Sequence, residues 1–429
     1  MGLVPADAAR RAARSAITRL CAGGLPPLEL LQQVAERVRA AVPYVSAGWQ
    51  LTDPATLLGT SGFAVDVDPG THLQLIENEL TGADFIPFTL VARSPAATLT
   101  LSATTGGELD RSARYRTINA RNGWSDELRA VFRSGGAVWG QACLARAAGE
   151  PAFGPDDTAF LAAVCGEIGN GLRSALLLDS ACSAVPGRAP GLVVLQDDGS
   201  VEAVSDDAVD WLAELPDEGL ELPSVVYEVA RRARSLAETG RPGLPARARV
   251  RVPSQHWLVL HGARLRPVAS RRPTTAVVVE PAHRAELVPL IVAAHELTPR
   301  EREITEMLVR GLSTAEIAAT LWLSSYTVRD HVKAVFGKLG VRSRPELTAL
   351  LFHEHHAAGC TGGSCGSPPL SSHVGPVQRA PDVPRAGRSE ARGSPFAQPS
   401  GSGSPSVGVG GLPDEAVEPV THGVEHVTG

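Results

Sequence analysis

The chain has 429 residues, of which 43% are hydrophobic and 4% aromatic, and its formal net charge is −6. That length allows two or three domains with cores of their own, and the acidic balance excludes a general basic coat, so any nucleic-acid interface must be local. No apolar run reaches the roughly 18 residues of a membrane span, and six scattered cysteines (Cys21, Cys143, Cys165, Cys182, Cys360, Cys365) do not frame a disulfide scaffold, which points to a reducing cytoplasm.

The first twenty residues, MGLVPADAARRAARSAITRL, carry arginines but no apolar stretch behind them. They read as a short amphipathic helix, residues 1–24, and not as a secretory signal. After Pro26-Pro27, the residues Leu28, Leu31, Val34, Ala35, Val38 and Val42 recur at helical spacing. Val45, Ala47, Trp49 and Leu51 then alternate as in a half-buried strand, and Ala137 to Ala145 is a second strand candidate after Gly135-Gly136. Asp156 to Leu178 is an amphipathic helix with Phe160, Val164, Ile168 and Leu172 on one face. Helix, strands and closing helix predict an α+β domain over 25–180, similar in pattern to GAF sensory domains.

A linker at 183–190 separates the next region. Gly191 to Val204 predicts a hairpin turning at Asp198-Gly199, and Ser205 is placed to cap a following helix. Val225 to Leu236 predicts a second helix, and Ala248–Val252, Trp257–Ala263 and Thr275–Glu280 three further strands. This order resembles a PAS-like sensory domain over 188–282. A connector follows at 283–295, in which Leu287, Leu290 and Ile291 form an apolar stripe and Pro289 limits any helix before it. Beyond residue 356, Gly, Ser and Pro dominate, and 357–429 is expected to be disordered.

Residues 296–354 hold the densest signals. Thr298 with Glu301, Ser313 with Glu316, and Ser343 with Glu346 have capping-box spacing, with Pro299 at a first helical position. Gly311 and Gly340 stand where helices stop. Ser324 caps the third of four predicted helices. On it Val328, Val332, Val335 and Leu339 make one buried face, while Tyr326, Arg329, Asp330, Lys333 and Gly337 lie on the other. Both lysines of the chain, Lys333 and Lys338, fall here beside Arg329, Arg342 and Arg344, with Asp330 the one acid from Ser324 to Arg344. Such a helix fits the major groove. Arg329 and Lys333 can donate to guanine, and Asp330 can accept from cytosine or orient Arg329. Thr314, Ser325, Thr327, Lys338, Arg342 and Arg344 are placed for phosphates.

The run LTPRE-x-EI, GLS-x-x-EIA-x-x-L-x-LS-x-x-TVR-x-HV, F-x-KLGV-x-SR-x-EL resembles the LuxR/FixJ-type helix-turn-helix from Leu297 to Leu347. The resemblance implies four helices, the third in the major groove and the fourth supporting dimerisation. It places Arg329, Asp330 and Lys333 at base-facing positions and Glu303, Gly311, Glu316, Ile317, His331 and Leu339 at structural ones. More weakly, Ala92–Arg116 and WSDELRAVFRSGGAVWG are similar to the sensory halves of actinobacterial LuxR-type regulators with GAF-like N-termini.

The expected fold class is therefore multidomain: α+β sensory domains, then an all-α four-helix helix-turn-helix and a tail. The expected function is a bacterial, cytoplasmic, sequence-specific DNA-binding transcription regulator. Double-stranded DNA and a second copy of the chain are the expected partners, with RNA polymerase and a small-molecule effector as further candidates. The alternative is a ligand- or protein-binding signalling module with a vestigial helix-turn-helix. No phosphate loop, serine elbow, HExxH or paired CxxC supports an enzyme, and no cofactor is expected. His355, His356, Cys360 and Cys365 have metal-ligand chemistry but not the spacing, and His72 stands alone. Trp49, Trp124, Trp139 and Trp257 are expected in cores and not around an effector. Cys143 and Cys165 are also expected in cores, and Asp110, Arg111, Arg114 and Arg116 in a solvated charged loop.

Overall fold

Two antiparallel sheets and a four-helix domain organise the chain in a computed structural model that describes residues 3–81, 84–177, 188–216, 218–254, 256–266, 272–295 and 297–352. The expected disordered tail and the four His and Cys candidates from residue 355 onward lie outside the described residues.

In the first unit α1 (Leu3–Ala22) and α2 (Pro27–Ala41) precede β1 (Ser46–Thr52) and β2 (Gly59–Val65). Then come α3 (Pro69–Thr81), α4 (Phe88–Val91), β3 (Thr98–Thr100) and α5 (Leu101–Thr105). A series of short turns leads to β4 (Trp124–Ser134), β5 (Ala137–Ala147) and α6 (Pro155–Leu177). The strand order is β2-β1-β5-β4-β3, all antiparallel. The apolar stripes of α1, α2 and α6 cover one sheet face, with Ile17, Leu31, Val34, Trp49, Phe132, Trp139, Val164 and Ile168 in the shared core. Thus the N-terminal helix is not set apart from this unit: Ala13 and Ile17 belong to its core. Gly169 lets α6 approach the sheet closely, because a Cβ there would stand 2.6 Å from the carbonyl carbon of Arg133.

The second unit begins with the hairpin β6 (Gly191–Gln196) and β7 (Val201–Val204), which turns through Gly199 at φ 90°. It continues through α7 (Asp206–Leu212), α8 (Ser224–Thr239), β8 (Arg247–Arg251), β9 (Trp257–Leu265) and β10 (Thr274–Pro281). The strand order β7-β6-β10-β9-β8 has the same pattern as the first sheet. Ser205 precedes α7 but makes no side-chain cap; its hydroxyl accepts from Leu192 N–H at 2.9 Å instead.

One helix joins these units. Every residue of α8 from Ser224 to Ala233 is buried, including Glu228, Arg231 and Arg232. One side packs on β9 and β10, and the other meets α3 and β2 of the first unit. Charged contacts line that seam. Arg231 and Arg234 both pair with Glu77, and Arg249 pairs with the buried Asp53 at 2.7 Å. A Cβ at Gly59 would overlap the Glu228 carboxylate, so the absence of a side chain there permits the contact.

The connector is also a helix, α9 (Arg284–Ala294), and it runs through Pro289. This corrects the expectation that Pro289 stops it. A proline removes one helical donor and crowds the preceding turn. Burial on two sides outweighs that cost: Leu287, Leu290, Ala293 and Ala294 join the first unit's core, while Val288, Ile291 and Val292 pack against the C-terminal core. Arg249 also donates to the Glu286 carbonyl within the helix.

Candidate nucleic-acid interface

The C-terminal domain consists of α10 (Pro299–Val309), α11 (Thr314–Leu321), α12 (Ser325–Leu339) and α13 (Arg344–Phe352). Two of the predicted capping boxes close in both directions. Thr298 Oγ1 accepts from Glu301 N–H at 3.3 Å while Glu301 Oε2 accepts from Thr298 N–H at 2.7 Å. Ser313 and Glu316 repeat this at 3.3 and 2.7 Å. The third closes in one direction only. Ser343 Oγ accepts from Glu346 N–H at 3.3 Å, but the Glu346 carboxylate reaches Arg342 N–H at 2.8 Å in place of Ser343. Ser324 caps α12 through Thr327 N–H at 3.0 Å, and Gly340 ends it at φ 68°. Each cap satisfies donors or carbonyls that helix ends leave open.

These caps set the directions of the helices, and the core holds them. Ile304, Leu308, Ile317, Leu321, Val328, Val335, Leu339 and Leu347 are buried together, with Val332 half-buried at their edge. Arg300 adds a tie from α10 to the end of α11, donating to Leu321 O at 2.8 Å and pairing with Glu303 at 2.7 Å. Among the scaffold candidates, Gly311 takes φ 97°, and His331 is half-buried. Trp322 takes a left-handed conformation at φ 54° to end α11 and is 94% exposed.

Arg329, Asp330 and Lys333 all stand exposed on one side of α12, next to Tyr326 at 71% exposure. Arg329 Nε donates to Ser325 O at 3.3 Å. Ser325 and Arg342 are exposed, and Thr314 and Thr327 are half-buried. Two of the phosphate candidates also have partners within the domain. Lys338 Nζ pairs with Glu301 Oε2 at 2.6 Å, and Arg344 Nε donates to Leu308 O at 3.0 Å. Burial acts to raise the Glu301 carboxyl, but the bonds from Lys338 and Thr298 outweigh it and hold it below its ordinary value.

Residues 295–351 match the family model described as bacterial regulatory proteins, luxR family. The spore germination protein GerE of Bacillus subtilis is 48% identical over 50 residues, which are 12% of this chain and 68% of that protein. The chain belongs to the LuxR family. A second relative, described as "Probable HTH-type transcriptional regulator GfsR" of Streptomyces halstedii, is 48% identical over 65 residues, 15% of this chain and 26% of the relative. The chain spans about a third or less of the length of most curated relatives that it matches. Among solved structures, "VqmA bound to DPO" aligns at 18% identity over 38% of this chain and 80% of that chain, with a TM-score of 0.19. A TM-score that low supports no inference about this chain.

The LuxR-family helices are tied to the rest of the chain at points with no clear sequence signal. Arg302 Nη2 donates to Gly135 O in the β4–β5 turn at 3.0 Å, and His295 Nδ1 lies 3.1 Å from Lys338 O. Outside this domain Trp49, Trp139 and Trp124 are core residues, and Trp124 also borders, with Cys143, a pocket on the other face of the first sheet. Arg114 is not in a solvated loop. It is 3% exposed and pairs with the buried Glu127 at 2.8 Å. Among the described residues, no group of three or more His, Cys, Asp or Glu could hold a metal ion, and no helix is long and apolar enough to cross a membrane.

Proposed function

We propose that the chain is a sequence-specific DNA-binding transcription regulator whose α12 enters the major groove. The observation that carries this is the exposed set Arg329, Asp330 and Lys333 on a helix whose opposite face is locked into a core. Arg329 and Lys333 donate to base edges, and Asp330 selects or orients. Thr314, Ser325, Thr327 and Arg342 meet phosphates and fix register. Lys338 and Arg344, which also brace the domain through Glu301 and Leu308, lie at the edge of the same phosphate-facing set. The chain acts as a homodimer on two half-sites, since one such domain covers few base pairs. RNA polymerase is the natural further partner of a regulator of this kind.

The first two units are sensory, GAF-like and PAS-like, in a cytoplasmic protein. Their repeated strand order and the packing of α9 on both α6 and α13 support this reading. A signal that shifts α9 changes how the DNA-reading domains are presented, and so changes affinity without touching a base.

Footprinting with the full chain tests the reading. Arg329→Ala should cost about 1–3 kcal/mol at one base position. Arg342→Ala should weaken all sequences alike and flatten the salt dependence. Absence of any salt-dependent duplex binding overturns the proposal. Arg302→Ala, which cuts the tie to Gly135, should alter affinity without altering sequence preference. An unchanged affinity would refute the coupling.

A further inference from the structure

The face of the first sheet turned away from α1, α2 and α6 forms the floor of a pocket of about 80 Å3 that is open to solvent at its mouth. Its floor is β1 and β5, its sides are α3 and α4, and α8 of the second unit contributes Glu228 and Arg232. The walls are mostly apolar, with Leu75, Ile76, Leu80, Phe88 and Trp124 prominent.

Its polar groups are unevenly matched. Gln50 and Gln141 face each other across the β1–β5 pairing. Gln141 Nε2 donates to Gln50 Oε1 at 2.8 Å, Gln50 Nε2 donates to Glu228 Oε1 at 3.0 Å, and Gly59 N–H donates to Glu228 Oε2 at 2.6 Å. The relay leaves one atom over. Gln141 is 4% exposed, and its Oε1 has no partner among the described residues. A buried acceptor of that kind costs free energy until a donor reaches it.

The three guanidiniums of the pocket differ in the same way. Arg114 is held by Glu127 and Asn78. Arg129 is held by Glu127, Glu79 and the Ile86 carbonyl. Arg232 is 9% exposed, yet its bonds are to the Thr56 and Leu244 carbonyls, at 3.5 and 3.4 Å. Among the described residues it forms no ion pair with a carboxylate. Glu228, one turn before it on α8, has both oxygens engaged elsewhere, and burial raises its carboxyl to about 7. Burial likewise lowers the Arg232 guanidinium from its ordinary value. Glu228 and Glu79 act on Arg232 through charge without an ion-pair contact, and a buried cation that no carboxylate touches is a costly arrangement in a pocket.

We propose that this pocket is a ligand site shared by the two sheet units and that it takes a small apolar carboxylic acid bearing a hydroxyl or N–H donor. Arg232 meets the carboxylate, Gln141 Oε1 accepts from the donor, and the apolar body fills the space between α3, α4 and Trp124. The ligand touches both units, so its occupancy tightens α8 against the first sheet. The site does not depend on DNA recognition, and it is tested without DNA.

Calorimetry and tryptophan fluorescence on the full chain would compare octanoate and 3-phenylpropanoate with their hydroxylated forms, 2-hydroxyoctanoate and 3-phenyllactate, and with the neutral amides octanamide and 3-phenylpropanamide. The hydroxy acids should bind tightest and the amides about ten-fold or more weaker than the plain acids, as expected for loss of a charged hydrogen bond. Arg232→Gln should erase the preference for acid over amide. Gln141→Leu should erase the preference for hydroxy acid over plain acid and leave the first preference intact. No saturable binding by any of the acids, or amides binding as well as acids, overturns the proposal. Thermal unfolding of each unliganded variant separates a lost contact from a lost fold. Should Arg232→Gln not fold, Gln141→Leu decides alone: a hydroxyl preference that survives in it refutes the site.

Discussion

Helices α8 and α12 look alike in sequence and sit in opposite surroundings. Both carry an apolar stripe and several cations: Arg231, Arg232 and Arg234 on α8, Arg329, Lys333 and Lys338 on α12. On α12 the outward charges Arg329 and Lys333 remain exposed. On α8 the polar face is covered by the first unit, and Arg231 and Arg232 are each 9% exposed. A charged helix face is thus either a solvated surface or half of an interface. The pattern of that helix alone does not distinguish them, because the distinction depends on what carboxylates and carbonyls another segment brings.

If the α8 seam is a true interface, breaking its ion pairs should cost far more than altering the exposed side of the C-terminal domain. The largest effect is expected at Asp53. Its Oδ2 receives both Arg249 N–H and Arg249 Nη1, at 3.0 and 2.7 Å, and its side chain is wholly buried. Asp53→Ala should destabilise the chain by about 3–5 kcal/mol in chemical denaturation, because it leaves a buried guanidinium uncompensated. A loss under about 1 kcal/mol, the value of an exposed pair, would mean that the two sheet units are not docked as described.

Next in size is a pH effect at the same seam. Burial raises the Glu228 carboxyl from an ordinary 4.5 to about 7. The folded chain therefore holds a proton there that the unfolded chain has released. The contribution of this group is greatest below pH 4.5 and falls as pH rises toward 7, by at most about 1.4 kcal/mol per pH unit. The groups facing it are Gln50 and Gly59 of the first unit and, through charge, Arg232 and Glu218. Glu228→Gln should remove that part of the slope in urea unfolding measured from pH 4.5 to 8. Parallel wild-type and variant curves would place the carboxylate in water.

Smaller changes are expected in the C-terminal domain. Ser313→Ala removes one capping hydroxyl from an exposed helix start and should cost about 1 kcal/mol. Trp322 should respond with the opposite sign. Its left-handed backbone is strained for a residue with a Cβ, and at 94% exposure it gives up almost no packing. Trp322→Gly should raise stability by about 0.5–1 kcal/mol. A loss of stability there would show that the indole packs against something in solution.

The four C-terminal helices were legible because their signals are local. A cap joins residues three apart, a buried stripe repeats every three or four, and the exposed trio Arg329, Asp330 and Lys333 follows from the phase of Val328 and Val335. The hairpin at Asp198-Gly199 was readable for the same reason. The internal partners of Lys338 and Arg344, Glu301 and Leu308, were not legible because they lie 37 and 36 residues away. The pocket was not legible at all. Its polar groups come from β1, β5 and α8, and Gln50 is 178 residues from Glu228.

The sequence by itself thus determined α12, its caps and the family resemblance, since short-range hydrogen bonding and periodicity suffice to specify them. Only the tertiary structure decided that α9 continues through Pro289 and that Arg114 and Arg232 are buried. It also showed α8 closing a pocket in another unit. Those outcomes rest on desolvation and on partners far apart in the chain, and desolvation depends on everything packed around a group rather than on its neighbours in sequence.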